Sequence, residues 1–154
     1  MAKTLIVGYG NPLQSDDAFG QHAAQHLSSR INNSNVEILT RHQLTPDLAE
    51  VASHFELVIF IDAAADLSPG ELRCERITRS AQAPSFSHSL TPSALLACTA
   101  ELYAKFPEAY CISVGGVSFA EGESLSPVVQ AAFEPLLETV QSLIPKQPPP
   151  VTRV

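Results

Sequence analysis

The sequence predicts an α/β fold of three layers. A mostly parallel five-stranded sheet, with one antiparallel edge strand, should carry helices on both faces. Three observations lead to this prediction. Short apolar runs alternate with segments of helical periodicity. The run at residues 56–62 is continuously apolar from Leu57 to Ile61, as in a central parallel strand covered on both faces. One connection between strands is also too short for a parallel crossover.

Two β-loop-α units open the chain. The apolar run at residues 4–9 predicts a buried strand, and the apolar residues of segment 18–31 recur at helical spacing: Phe19, Ala23, Leu27 and Ile31. A weakly alternating strand at residues 36–41 is followed by a helix at residues 45–54. This helix begins with a capping threonine, a proline suited to the first helical position, and an aspartate.

The third and fourth strands define the antiparallel edge. Strand 56–62 should be central, and strand 70–77 follows after only about seven residues that include a Ser-Pro-Gly turn. A parallel crossover needs a dozen residues or more, so the fourth strand should be antiparallel. It also carries charges that protect an edge strand from pairing with other molecules: Glu71, Arg73, Glu75 and Arg76.

The remaining elements complete the sheet and its covering helices. Thr91 and Pro92 should open a helix that runs to about Phe106, and residues 109–117 predict the last strand. The final helix begins at Ser126-Pro127, and we expect it to be kinked or restarted at Pro135.

Composition limits the function classes. The 154 residues suit one domain, which we assign to residues 1–145, with a disordered Pro-rich tail at 146–154. A net charge of −7 with scattered Lys and Arg argues against a nucleic-acid partner. No apolar run suits a membrane span or a signal peptide, so we expect a cytoplasmic protein. The three cysteines are odd in number and widely spaced, which predicts reduced thiols. The sequence leaves the oligomeric state open.

The loop GYGNPLQSDDAFG, residues 8–20, follows the first strand and looks at first like a phosphate-binding glycine loop. Leu13, however, occupies the position of the third glycine of a dinucleotide site. Asp16 and Asp17 would also compete with a phosphate for the positive end of the following helix. We therefore expect a cationic ligand. Asp16 is predicted to be the N-cap of that helix, which leaves Asp17 as the candidate ligand.

Two further residues are predicted to meet Asp17. Asp62 ends the central strand at the carboxyl edge, where open α/β folds bind ligands. His88 precedes the helix at Thr91, and residues 78–87 are long enough, at up to ~33 Å, to return across the sheet to that edge. Taken alone, Asp62 could be a turn residue, His88 a loop imidazole, and Asp17 an acid that complements a helix dipole. Together, two carboxylates and an imidazole suit a divalent first-row metal with open coordination positions.

Nucleophilic alternatives are weaker. A serine hydrolase built from Ser15 or Ser87 with His88 and Asp62 has the right residue types, but the sequence contains no G-x-S-x-G elbow. Cys98 and Cys111 lie in a predicted helix and strand, where cysteine usually acts as a small core residue.

These motifs resemble those of the [NiFe]-hydrogenase maturation endopeptidases. The resemblance rests on the loop at residues 8–20, on Ile61-Asp62-Ala63, and on Ser87-His88 with Leu90, and it extends from about Thr4 to Ile144. It implies a mixed sheet flanked by helices. It also implies a peptidase that removes the C-terminal extension of a hydrogenase large-subunit precursor after nickel insertion. Asp17, Asp62 and His88 would then bind or sense nickel that the precursor supplies, without an organic cofactor.

The sequence departs from the family pattern in two places. Many members have Glu at the position of Asp17, and many have a Gly-Gly-Thr turn where this chain has residues 41–47, RHQLTPD. This second segment is similar to that of peptidases serving bidirectional, NAD(P)-linked hydrogenases, and it is thought to help select the precursor. Two other functions are kept open: a nickel-sensing chaperone that binds the precursor without cutting it, and a nucleotide-binding domain.

Overall fold

The protein, described by a computed structural model at residues 3–79 and 90–146, is built on one five-stranded sheet. The strands are β1 (Thr4–Tyr9), β2 (Val36–Arg41), β3 (Leu57–Ala64), β4 (Leu72–Arg76) and β5 (Glu108–Gly115). Their order is β2-β1-β3-β5-β4, and only the β4–β5 pair is antiparallel. The predicted fold class is therefore confirmed, including the antiparallel edge strand. In the described ranges, no helix has the length and apolar character needed to cross a bilayer.

Strand β3 is central because its side chains are apolar on both faces. Residues 57–61 are all buried, and β3 pairs in parallel with β1 on one side and β5 on the other. The register places Gly8 beside Ile61 and Ser113 beside Asp62. Tyr9, Asp62 and Ser113 consequently lie in one row across the three middle strands.

Helices cover both faces of the sheet. They are α1 (Phe19–Arg30), α2 (Leu48–Ala52), α3 (Pro92–Tyr103), α4 (Pro127–Gln130) and α5 (Phe133–Leu143), and a 3₁₀ turn at Ser15–Ala18 precedes α1. Alternate strand residues point to opposite faces. Ile59 and Ile61 accordingly join the apolar core under α1, α4 and α5, whereas Val58 and Phe60 join the core under α2 and α3.

Two helices are shorter than predicted. Helix α2 begins at Leu48 because residues 45–47 form a turn. The backbone carbonyls of Thr45 and Pro46 accept hydrogen bonds from N–H groups only three residues ahead. Helix α3 begins as predicted, with the Thr91 hydroxyl accepting a hydrogen bond from Ala94 N at 3.1 Å. It ends at Tyr103 rather than near Phe106, because Ala104 adopts a left-handed conformation with φ of 55°.

The C-terminal helix is restarted, as expected. Helix α4 ends at Gln130 and α5 begins at Phe133, so Pro135 falls in the first turn of α5, where a proline costs no intrahelical hydrogen bond. The tail assigned to residues 146–154 falls, apart from Lys146, outside the described residues.

Candidate active site

A cleft of about 320 Å³ opens at the carboxyl edge of the sheet, beside the ends of β1 and β3. This is the edge at which α/β folds of this kind bind their ligands. The structure brings Asp17 and Asp62, two of the three predicted site residues, to the wall of this one cleft. His42 and Gln43, from the connection between β2 and α2, line it as well.

The Asp62 carboxylate is held by a hydroxyl on each side. Tyr9 Oη donates to Oδ2 at 2.7 Å, and Ser113 Oγ donates to Oδ1 at 2.5 Å. The thiol of Cys111 lies 3.9 Å from Oδ1 and 3.8 Å from Ser113 Oγ. Because β1 and β5 flank β3, these partners follow directly from the order and register of the strands.

Burial dominates the electrostatics around Asp62. It raises the pKa of the Asp62 carboxyl, although the hydrogen bonds from Ser113 and Tyr9 oppose the shift. Burial, followed by the charge of Asp62, raises the pKa of the Tyr9 hydroxyl, and the same two causes raise the pKa of the Cys111 thiol to about 12. Tyr9 and Cys111 are therefore protonated at neutral pH. Cys111 is consequently a poor nucleophile, since the thiolate is the reactive form.

Asp17 is placed by a tightly folded loop. Its Oδ2 accepts a hydrogen bond from Asn11 N at 2.8 Å. Gly10, at φ of 150°, lies so close to Asp17 that an added Cβ would be 1.9 Å from the Asp17 carbonyl oxygen. The side-chain amide of Gln21 donates to Gly10 O at 2.9 Å, which ties the loop to helix α1. The loop is therefore built around a glycine that no other residue replaces without strain.

Asp16 is not the N-cap of helix α1, and that prediction was wrong. The N-cap position belongs to Ala18, because the 3₁₀ turn precedes the helix. The fully buried Asp16 carboxylate instead accepts hydrogen bonds from the backbone of Val117, Ser118 and Ser126, at 2.7 to 3.0 Å, and from the Ser126 hydroxyl at 2.8 Å. Burial alone would raise the pKa of Asp16, but these hydrogen bonds, led by that of Ser126 N, lower it.

The third predicted ligand, His88, lies outside the described residues, as does Ser87. Leu90, two positions after His88, lines the cleft. Within residues 3–79 and 90–146, no three His, Cys, Asp or Glu side chains are grouped closely enough to hold a metal ion. Asp17 and Asp62 interact electrostatically. Burial is the main cause that raises the pKa of Asp62, and the negative charge of Asp17 raises it further.

Tyr9 and Ser113 were not predicted from the sequence as partners of Asp62. Tyr9 is the last residue of β1 and lies at the same edge as Asp62, so the sequence contains a signal for its place near the site. The sequence around Ser113 contains no such signal, because Ser113 is a small residue within an apolar strand. Its contact with Asp62 requires the pairing of β3 with β5, which joins residues 51 positions apart.

Comparisons with known proteins agree with this architecture. No protein-family model matches the chain, and no curated protein sequence matches it. Among solved structures, the hydrogenase maturating endopeptidase HybD from Escherichia coli is 27% identical, with a TM-score of 0.70 over 91% of this chain and 90% of that one. The [NiFe] hydrogenase maturation protease HycI from Thermococcus kodakarensis is 21% identical, with a TM-score of 0.73 over 92% of this chain and 91% of that one.

A third structure, hydrogenase 2 maturation peptidase from a Thaumarchaeota archaeon, is 23% identical, with a TM-score of 0.69 over 91% of this chain and 96% of that one. The two archaeal structures, being less than 25% identical, show likeness of fold alone. The chain thus matches the fold of [NiFe]-hydrogenase maturation proteases over about nine-tenths of its length.

Proposed function

We propose that this protein is a maturation endopeptidase that removes the C-terminal extension of a [NiFe]-hydrogenase large-subunit precursor after nickel insertion. The observation that carries the proposal is the pair Asp17 and Asp62, which line one cleft at the carboxyl edge of the sheet. Further support comes from the likeness to HybD, whose name describes a hydrogenase maturating endopeptidase. We expect the reaction to take place in the cytoplasm.

The nickel ion in this proposal arrives with the substrate. Asp17 and Asp62 would provide oxygen ligands and His88 a nitrogen ligand, while the precursor fills the remaining positions around nickel. Three protein ligands leave coordination positions open, so a precursor that already holds nickel would bind better than one without it. Cleavage would then be conditional on correct nickel loading.

The nickel would also position the scissile peptide bond. A divalent ion can polarise a carbonyl group and lower the pKa of a bound water, which are the two contributions that hydrolysis requires. No protein nucleophile is assigned. The high pKa of Cys111, about 12, argues against that thiol, and a water molecule is the nucleophile that we propose.

The connection between β2 and α2 is proposed to contact the precursor. His42 and Gln43 are exposed and line the same cleft as the two acids, so an incoming chain would meet them beside the metal site. This placement supports a role in substrate selection. We further propose that the substrate is the precursor of a bidirectional, NAD(P)-linked hydrogenase, on the likeness of the segment at residues 41–47.

The test is mass spectrometry of large-subunit precursors, prepared with and without nickel, after incubation with the protein. We expect loss of a C-terminal peptide only from a nickel-loaded precursor. Asp17→Ala, Asp62→Ala and His88→Ala should each abolish this loss without unfolding the domain. Asp66→Ala and His54→Ala, which change exposed residues away from the cleft, are the matched controls.

Two results would contradict the proposal. Cleavage at the wild-type rate by the His88→Ala variant would remove that residue from the site. An intact precursor that copurifies with the wild-type protein would favour the alternative, a nickel-sensing chaperone that binds the precursor without cutting it.

A further inference from the structure

The Asp62 carboxylate, two residues before the end of β3, is held by hydroxyl groups from both neighbouring strands. Tyr9 on β1 and Ser113 on β5 each donate a hydroxyl proton to a different oxygen of the same carboxylate. Both donors belong to strands of the central sheet rather than to loops. Groups held by such elements keep a functional side chain in one geometry more accurately than loop residues do.

The two oxygens of Asp62 have different surroundings. Oδ1 is bonded at 2.5 Å to Ser113, whose side chain is 4% exposed and does not reach the cleft, and the Cys111 thiol lies on the same side. Oδ2 is bonded to Tyr9, which lines the cleft together with Asp62. Oδ1 is thus bonded to a buried hydroxyl outside the cleft lining, whereas the partner of Oδ2 belongs to that lining.

We infer that Tyr9 and Ser113 are positioning residues that make Asp62 a ligand through Oδ2 alone. This inference rests on the proposed function. Each carboxylate oxygen has about two lone-pair directions, so Oδ2 can accept the Tyr9 hydrogen bond and still bind a metal. Oδ1 cannot turn toward the cleft without breaking the short hydrogen bond to Ser113. The carboxylate should therefore bind nickel with one oxygen in a fixed direction.

Such a role predicts a selective defect. Removal of a residue that hydrogen-bonds to a metal ligand typically lowers metal affinity or activity by roughly tenfold to a hundredfold. Loss of either hydroxyl should weaken the contact between Asp62 and the precursor's nickel, but it should leave the contacts between protein and precursor surfaces unchanged. The quantity to measure is therefore the ratio of the two affinities, for the nickel-loaded and for the nickel-free precursor.

The experiment compares the dissociation constants of both precursor forms for wild type, Tyr9→Phe and Ser113→Ala. We use the large-subunit precursor that the wild-type protein cleaves. Each variant should lower the nickel-dependent gain in affinity by about tenfold, with unchanged affinity for the nickel-free precursor. Tyr110→Phe is the matched control for Tyr9, because it removes a hydroxyl that bonds to Glu108 at the surface. Ser53→Ala removes a buried hydroxyl far from the cleft, bonded to the backbone of Glu50.

The outcomes separate this inference from the proposed function. A wild-type protein that binds both precursor forms equally well would overturn the nickel-dependent recognition in the proposed function, and with it the inference. A wild-type preference for nickel that Tyr9→Phe and Ser113→Ala both retain in full would overturn the inference alone. A parallel loss of affinity for both precursor forms would mean that the hydroxyls only support the fold. Tyr9→Phe keeps the ring and its packing, so it serves as the second variant if Ser113→Ala does not fold.

Discussion

The buried carboxylate of Asp16 accepts hydrogen bonds from both the backbone N–H and the hydroxyl of Ser126, at 2.7 and 2.8 Å, although 110 residues separate the two. Ser126 is the N-cap residue of helix α4, and Asp16 lies in the 3₁₀ turn that also carries Asp17. The contact therefore joins the cleft to the C-terminal part of the chain. The position of Asp17 depends on a segment that is distant in sequence.

Asp16→Asn should destabilise the protein by roughly 2–4 kcal/mol, because a buried carboxylate with four donors loses its charge and part of its acceptor capacity. Urea unfolding at pH 7 would measure this loss. Asp66→Asn is the control, since Asp66 is exposed and its ion pair with Arg73 is screened by solvent, so its loss should change stability little. Equal stability of the two variants would contradict the assigned role of Asp16.

The contribution of Asp16 should also depend on pH. Its pKa is lowered in the folded protein by the hydrogen bonds that overcome burial. The stabilisation is therefore complete above the ordinary Asp pKa of about 4, and it is lost as the pH falls through the lower pKa of the folded state. The difference in unfolding free energy between wild type and Asp16→Asn should narrow below about pH 4. Parallel pH profiles of the two proteins would contradict this prediction.

Asp62→Asn should abolish precursor cleavage while leaving the protein at least as stable as wild type at pH 7. Burial raises the pKa of Asp62, so the folded state binds the proton more tightly than the unfolded chain does. The contribution of Asp62 to the free energy of unfolding is therefore favourable at low pH, and it is lost as the pH rises through the raised pKa. The amide carries no charge to desolvate. Thermal unfolding should thus show an advantage of the variant at pH 7 that shrinks on acidification, and a large loss of stability at pH 7 would refute the argument.

Gly10→Ala should disturb the loop that places Asp17. The added methyl carbon would lie 1.9 Å from the Asp17 carbonyl oxygen, so the loop must move, and the φ of 150° adds strain. We expect a loss of about 1–3 kcal/mol in unfolding free energy and a strong loss of cleavage. Gly122→Ala is the control, because its methyl group would meet only the rotatable hydroxyl of Ser15, at 2.9 Å. Comparable effects of both substitutions would argue against a special role of Gly10.

Replacing His42 and Gln43 together by alanine should change substrate choice rather than stability. Both residues are exposed and line the cleft, so few packing contacts are lost. We expect the ratio of kcat/KM values between two hydrogenase precursors to change, with unfolding free energy within about 0.5 kcal/mol of wild type. The matched control is the His22→Ala and Gln25→Ala pair, exposed on helix α1. An unchanged ratio would remove this connection from substrate selection.

Local patterns in the sequence predicted the elements of the fold, the central place of β3 and the antiparallel edge strand β4. The apolar run of β3 identified the central strand because a strand covered on both faces has no polar side. The short connection before β4 identified the antiparallel edge because it leaves no room for a crossover. The cap at Thr91 and the restart near Pro135 are likewise local effects of hydrogen bonding and backbone geometry, and sequence patterns report such effects directly.

The hydrogen-bond partners of Asp16 and Asp62 depend on tertiary contacts. Local preference predicted Asp16 as a helix cap, but the folded chain brings four donors from residues 117–126 to its carboxylate, and together they exceed what one cap contributes. The pairing of Asp62 with Tyr9 and Ser113 likewise depends on strand order and register. These contacts join residues 51 to 110 positions apart, and their energies arise only when the sheet has assembled.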